Sequence, residues 1–272
     1  MRIIEKEIIQ KEIEEALSEI GYKLAPSYEE AIKRRIEETN DEFEKSILKD
    51  YIKNSEIALN KKVPLCQDTG VVDCFVEIGD QVYIDGNLNE IINQAVRNTY
   101  LKEQYRLSIV EDPFERKNTM DNTPAVINID FVKGDKLKIM LMLKGGGSEN
   151  VSLFKAMLPT DDEDSVVLEI KKHIEKIGAK ACPPYCLGIA IGGNFEQVTK
   201  EAKKALLKDK TDKTDLEKKI IDEVNKLDIG PIGSGGITCV DVNVSLLSSH
   251  IASLFLGVAI CCNAARKKVI EI

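Results

Sequence analysis

The chain has 272 residues, with 46 Asp+Glu against 38 Lys+Arg, seven cysteines, two histidines and no tryptophan. At this length about 75% of the unfolded surface can be buried, so a full core needs no disulfide staples. A formal charge of −8 argues against a protein that holds nucleic acid by neutralising phosphates, and the longest apolar run, residues 251–262, is too short to span a bilayer. The first residues, MRIIEKEIIQKEIEEAL, interleave charge with apolar side chains and lack the apolar h-region of a secretory signal. The expected location is therefore the cytoplasm, where cysteines stay reduced and act as small core residues, nucleophiles or metal ligands.

The first 60 residues read as helix. Ile3, Ile4, Ile8, Ile9, Ile13 and Leu17 recur at helical spacing opposite a Glu/Lys face. Pro26-Ser27 opens a second helix, with Ser27 and Glu30 in a capping-box pattern, and a third runs over 41–53. This stretch holds no Cys, His or glycine cluster, so no chemistry is expected from it. A change of texture near 60–63 sets the expected division: a helical region 1–60 and an α/β domain 61–272. Strands are predicted over 71–78 and 80–84, and a helix over 87–104. Strands 125–131 and 136–143 are separated by Lys133-Gly134-Asp135, a hairpin signal. Helices 164–177, 195–207 and 215–227 alternate with strands 187–191, 236–246 and 257–262. The fold class is mixed α/β or α+β.

Four segments place polar residues and punctuation where a plain core would not. PLCQDTG (64–70) sets Cys66, Gln67 and Asp68 side by side between a proline and a glycine; an ordinary turn would also favour Asp, Thr and Gly there. Residues 105–124 form one long polar loop holding Arg106, Arg116, Lys117, Asn118, Asp121 and Asn122. Loops of that length inside a compact domain are usually functional or disordered, although Asx-turns account for most of these residues structurally. KGGGSEN (144–150) lets backbone N–H groups near Gly146 approach an anion, without the GK[ST] ending of a nucleotide loop. ACPPYCLGIAIGG (181–193) sets Cys182 before a double proline, which stiffens the backbone beside the thiol. GPIGSGGIT (230–238) enters a strand, and HIASLFLGVAICCNAAR (250–266) places Cys261 and Cys262 at a strand end. His173 reads as a surface residue, and His250 as a structural or supporting one.

Zinc finds no compact Cys spacing and no histidine at finger spacing. Three separated cysteines on rigid turns are compatible with an iron–sulfur cluster, and three thiolates for four irons would leave one iron open as a Lewis acid. Spacing alone does not establish it.

Taken in order, PLCQDTG, the RLSIVEDP and RKNTMDNTPA stretches, KGGGSEN, ACPPY with its following IGG, and GPIGSGG resemble the iron–sulfur-dependent hydro-lyases. That family contains class I fumarate hydratase and L(+)-tartrate dehydratase. The match covers about residues 60–266, and the length resembles the separate α subunit. The resemblance implies a [4Fe-4S] cluster held by Cys66, Cys182 and Cys262, with Cys261 as a buried neighbour of the third ligand. It implies Gln67, Arg106 and Gly146 as substrate-binding positions and Asp68 as an acid/base or water-positioning group. Leu254-Phe255 stands where the family often has Leu-Pro. Cys74, Cys186 and Cys239 match no ligand position and read as core. The implied substrate is a small 2-hydroxy dicarboxylate, malate with tartrate as the alternative, and the implied partner is a separate β subunit. Homodimerisation through the N-terminal helices is possible on this reading, with no nucleic acid and no membrane involved. A non-catalytic iron–sulfur or metal-storage protein would need the cysteines but not Gln67-Asp68, Arg106 or KGGGSEN; a zinc-stabilised interaction module is disfavoured by the spacing.

Overall fold

The computed structural model describes residues 2–272. In chain order the elements are β1 (Arg2–Glu5), α1 (Lys6–Tyr22), α2 (Pro26–Glu38), α3 (Glu42–Lys61), β2 (Val71–Gly79), β3 (Val82–Asp85) and α4 (Leu88–Lys102). There follow β4 (Val126–Val132), β5 (Leu137–Lys144), the single turn α5 (Gly146–Glu149), β6 (Leu153–Met157), α6 (Glu163–Ile177) and β7 (Tyr185–Gly192). The chain ends with α7 (Phe195–Ala205), α8 (Asp215–Asn225), β8 (Cys239–Leu247), β9 (Leu254–Cys261) and β10 (Lys267–Glu271). The class is the expected mixed α/β. No described helix is long and apolar enough to cross a membrane.

The chain divides into two compact units. One comprises the described residues up to Ala25, Ser55–Gly146 and Arg266–Ile272; the other comprises Pro26–Asn54 and Gly147–Ala265. The helices of the first 61 residues are shared between them.

In the first unit, four strands lie in the order β10-β5-β2-β4, and β1 pairs with β3 in a separate ribbon. Alternate residues of β2 (Val72, Cys74, Val76) and of β5 (Leu137, Ile139, Leu141) share a core with Ile9, Ile13 and Leu17 of α1 and Ile92 and Val96 of α4. Each fully buried aliphatic side chain of this kind contributes about 1.5–3 kcal/mol. Two sequence expectations fail here. Residues 2–5 are not the start of the first helix but a strand, paired in parallel from Arg2 opposite Val82 to Glu5 opposite Asp85. Ile3 points to solvent as a result, and tertiary pairing overrides the local helical spacing. Second, β4 and β5 are not a hairpin. β2 lies between them, parallel to β4 and antiparallel to β5; the Lys133-Gly134-Asp135 turn joins strands that are not neighbours.

In the second unit the strand order is β6-β9-β7-β8. One sheet face packs Leu187, Ile189, Leu256 and Val258 against Val166, Ile170 and Ile174 of α6 and Ile220 and Val224 of α8. α7 covers the opposite face, close enough that a Cβ at Gly188 would stand 2.1 Å from the Ala202 carbonyl oxygen. α2 begins at Pro26, whose fixed φ suits a first helical position; Ser27 lies inside the helix rather than capping it.

Candidate functional site

In the first unit the PLCQDTG segment is a loop between α3 and β2, pinned at its start where the Leu65 N–H donates to the Gly21 carbonyl at 2.8 Å. Cys66 is half-buried and Gln67 is exposed. The Asp68 carboxylate is held at both oxygens: Oδ1 accepts from the Gly70 N–H at 3.0 Å, and Oδ2 accepts from the Gly146 N–H at 2.8 Å. The three-glycine turn therefore supplies an amide to an anion, and that anion is the chain's own carboxylate. A Cβ at Gly145 would sit 2.9 Å from Asp68 Oδ2 and would push the carboxylate from this position.

The backbone of the loop is held just as closely. The Asp68 carbonyl accepts from Arg266 Nη2 at 2.9 Å. The Tyr100 hydroxyl lies 3.1 Å from the Thr69 carbonyl and 2.9 Å from that of Gly70. Asn122 Nδ2 also donates to the Gly70 carbonyl, at 3.2 Å. Arg266 is 1% exposed, and its planar guanidinium presents its donors in a fixed fork. Gly70 itself has φ +82, and a Cβ would come within 2.8 Å of the Lys144 backbone, so no other residue fits. Burial lifts the Tyr100 phenol well above its ordinary value, against the nearby Arg266 cation, which keeps it a donor.

Arg106 is joined to the same loop through its backbone: Thr69 Oγ1 donates to the Arg106 carbonyl at 2.8 Å, and the Arg106 residue is exposed. The long polar loop is braced by Asx-turns as expected, with Asn118 Oδ1 accepting from Met120 N at 2.7 Å and Asp121 Oδ1 from Thr123 N at 2.9 Å. Five of the residues singled out from sequence, Cys66, Gln67, Asp68, Arg106 and Gly146, thus belong to this one unit, and direct hydrogen bonds link Asp68 with Gly146 and Thr69 with Arg106.

In the second unit Cys182 follows a 3-10 turn (Gly178–Ala181) and is exposed. Its carbonyl accepts from the Asn263 N–H at 2.9 Å, so the residue after Cys262 is bonded to Cys182. Cys262 is half-buried. The phenols of Tyr51 and Tyr185 are raised, first by burial, with both the Cys182 and Cys262 thiols adding to the shift; the two cysteines share one neighbourhood. Among the described residues no group of three or more His, Cys, Asp or Glu side chains forms a ready-made metal site. What the fold brings together is the Cys182–Cys262 pair, while Cys66 belongs to the other unit.

The remaining cysteines differ in kind. Cys74 and Cys239 are fully buried; burial, with Asp73 adding to it, pushes the Cys74 thiol up to about 12, and burial raises Cys239 strongly as well. Both are inert core residues. Cys261 is buried and faces half-buried Cys186 as its direct partner across β9 and β7, so Cys186 is less enclosed than expected. His173 is half-buried rather than on the surface, with Nε2 at 2.7 Å from the Val151 carbonyl. His250 is exposed, and its Nδ1 accepts from the Ala252 N–H at 3.1 Å. Sequence reading missed Tyr100, Tyr28 and Tyr51. Their one legible signal was a phenol set in a helix that has a buried face, since a buried Tyr hydroxyl finds a partner.

These features define a mixed α/β protein with partly exposed thiols outside its strands, one of them near a carboxylate aimed by backbone amides. The family model for fumarate hydratase (Fumerase) matches residues 10–271, and the chain belongs to that family. It is 33% identical over 94% of its length, and 94% of the relative's, to a Methanocaldococcus jannaschii protein provisionally named L(+)-tartrate dehydratase subunit alpha. It is 27% identical to the anaerobic class I fumarate hydratase of Escherichia coli K12, across 97% of this chain but 51% of that enzyme. The L(+)-tartrate dehydratase subunit alpha of Escherichia coli UTI89 is 28% identical over 80% of this chain and 76% of its own. The chain thus spans about half the length of the E. coli K12 class I fumarate hydratases it matches.

Proposed function

We propose that the chain is the α subunit of an iron–sulfur hydro-lyase interconverting (S)-malate with fumarate and water. A separate β subunit would correspond to the half of the long fumarate hydratases that this chain does not cover. The observation that carries the reading is the PLCQDTG loop: a half-buried cysteine two residues from a carboxylate fixed by two amides, in a chain of the fumarate hydratase family. The donor set suits a cluster. Cys66, Cys182 and Cys262 lie outside the strands with some exposure, whereas half-buried Cys186 lies within β7, Cys261 is buried at the end of β9, and Cys74 and Cys239 are sealed in the core. We take those three as the thiolate ligands.

A [4Fe-4S] cluster with three protein ligands supplies an open iron, a Lewis acid toward a hydroxyl and carboxylate of the substrate. The chain's own groups do the rest. The exposed Arg106 guanidinium can fork onto a substrate carboxylate bidentately, and the Gln67 amide adds a donor. Asp68 keeps lone pairs beyond those used by Gly70 and Gly146, and it moves a proton to or from the substrate or orients the water. Gly146, its N–H engaged by Asp68, serves the substrate by aiming that carboxylate. The second proton-transfer group comes from the β subunit. Seven cysteines with no disulfide among them fit a reducing compartment, and we take the cytoplasm as the location.

L(+)-tartrate is the second reading, favoured by the names of the α-subunit relatives at 33% and 28% identity. Both substrates offer the same hydroxyl–carboxylate handle. Oxygen-free assay of the chain with its β partner decides: turnover of malate with none of tartrate supports the first reading, tartrate turnover alone the second, and neither overturns both.

A further inference from the structure

The loop presenting Cys182 has two residues without a backbone donor. Pro183 and Pro184 have no N–H, and Cys182 sits at φ 54, ψ 76, a left-handed conformation that a side chain bearing a Cβ disfavours. Such a conformation persists where the surroundings over-determine it. Here the surroundings are three consecutive carbonyls, each tied from outside the loop. The Cys182 carbonyl accepts from the Asn263 N–H at 2.9 Å, that of Pro183 from the Tyr51 hydroxyl at 3.5 Å, and that of Pro184 from the Tyr28 hydroxyl at 3.1 Å.

The two phenols come from α2 and α3, separated from the loop by 156 and 132 residues of sequence. Tyr28 is 2% exposed and Tyr51 is half-buried. Tyr51 also hydrogen-bonds the Asn263 side chain, next to Cys262, so one hydroxyl touches both cysteine-bearing segments. A purely space-filling ring would need no hydroxyl at either position.

We propose that Tyr28 and Tyr51 are positioning residues that hold Cys182, and through Asn263 also Cys262, in the paired arrangement used for ligand binding. The inference rests on the reading of Cys182 and Cys262 as cluster ligands, but its test does not. In the full apo chain, Cys182 alkylation by iodoacetamide is followed by mass spectrometry, with Cys66 of the other unit as the internal reference. Tyr28→Phe/Tyr51→Phe keeps both rings and removes both hydroxyls. The Cys182-to-Cys66 rate ratio should rise about fivefold, the weight of one ordinary hydrogen bond. After reconstitution, iron should also leave the variant faster than the wild-type chain on adding a chelator. An unchanged ratio would overturn the inference. Should the double variant fold poorly, Tyr51→Phe alone, at the half-buried site, carries the same prediction with a smaller rise. Absence of iron from the wild-type chain would defeat the cluster reading and leave the alkylation result standing; iron binding with an unchanged ratio would defeat the positioning role alone.

Discussion

Asp68 shows how one carboxylate is aimed. Two amides, from Gly70 and Gly146, meet separate oxygens of the side chain, and Arg266 fixes its carbonyl. Asparagine keeps the shape but turns one acceptor into a donor facing an N–H. Asp68→Asn should retain iron and lower turnover of the assembled enzyme by about 100-fold or more, the range for a lost acid/base group; equal turnover removes its proton-transfer role. Gly70→Ala tests the loop itself. With φ +82 and the Lys144 backbone at 2.8 Å from a Cβ, it should cost about 1–3 kcal/mol, read as a fall in the urea midpoint. At the third ligand, Cys262→Ser should abolish iron binding while Cys261→Ser, at a buried site, should not; the reverse would move the ligand by one residue. The candidates Cys66, Gln67, Asp68 and Arg106 were legible because they crowd into short segments of unusual chemistry. Tyr28 and Tyr51 were not, because nothing within their helices signals a loop more than a hundred residues away.

At the scale of elements, α8 and β8 are joined by one buried acid. Glu217, third in a helix opened by the Thr214 capping box, is 1% exposed. Burial alone would raise its carboxyl; hydrogen bonds from the Val244 and Thr214 N–H groups, Lys210 and the Thr214 hydroxyl outweigh that and bring it to about 2. A carboxyl lowered by folding stabilises above its unfolded value, about 4.3, and that stability is lost as pH falls through the window down to about 2. Glu217→Gln should therefore be less stable than wild type at neutral pH, with the gap closing as denaturation midpoints are taken from pH 5 toward pH 2. A gap independent of pH would contradict the assignment. Gly188 tests the α7 contact: with the Ala202 carbonyl 2.1 Å from its absent Cβ, Gly188→Ala should cost about 1–3 kcal/mol by overpacking.

Most elements were legible in the sequence because their apolar spacing is local. The failures were those decided at long range. Lys133-Gly134-Asp135 is a good turn, yet the strands it joins are separated by β2, whose partner registers on both sides are set by the sheet and not by the turn. Residues 2–5 continue the apolar spacing of α1 but pair with β3, about eighty residues on. The Asp68–Gly146 bond spans 78 residues, so both segments were visible and their contact was not.

On the whole-molecule scale, each unit has its own core, and the proposed ligands are divided as Cys66 in one and Cys182 with Cys262 in the other. The N-terminal helices, expected to be free of chemistry, supply through α2 and α3 the phenols that hold the Cys182 loop. Family membership and the α-subunit names of two relatives make a two-chain hydro-lyase the reading under test. Its most direct measurement is the iron and sulfide content of the full chain after anaerobic reconstitution. The account predicts about four irons and four sulfides per chain; stoichiometric zinc with no iron would contradict it.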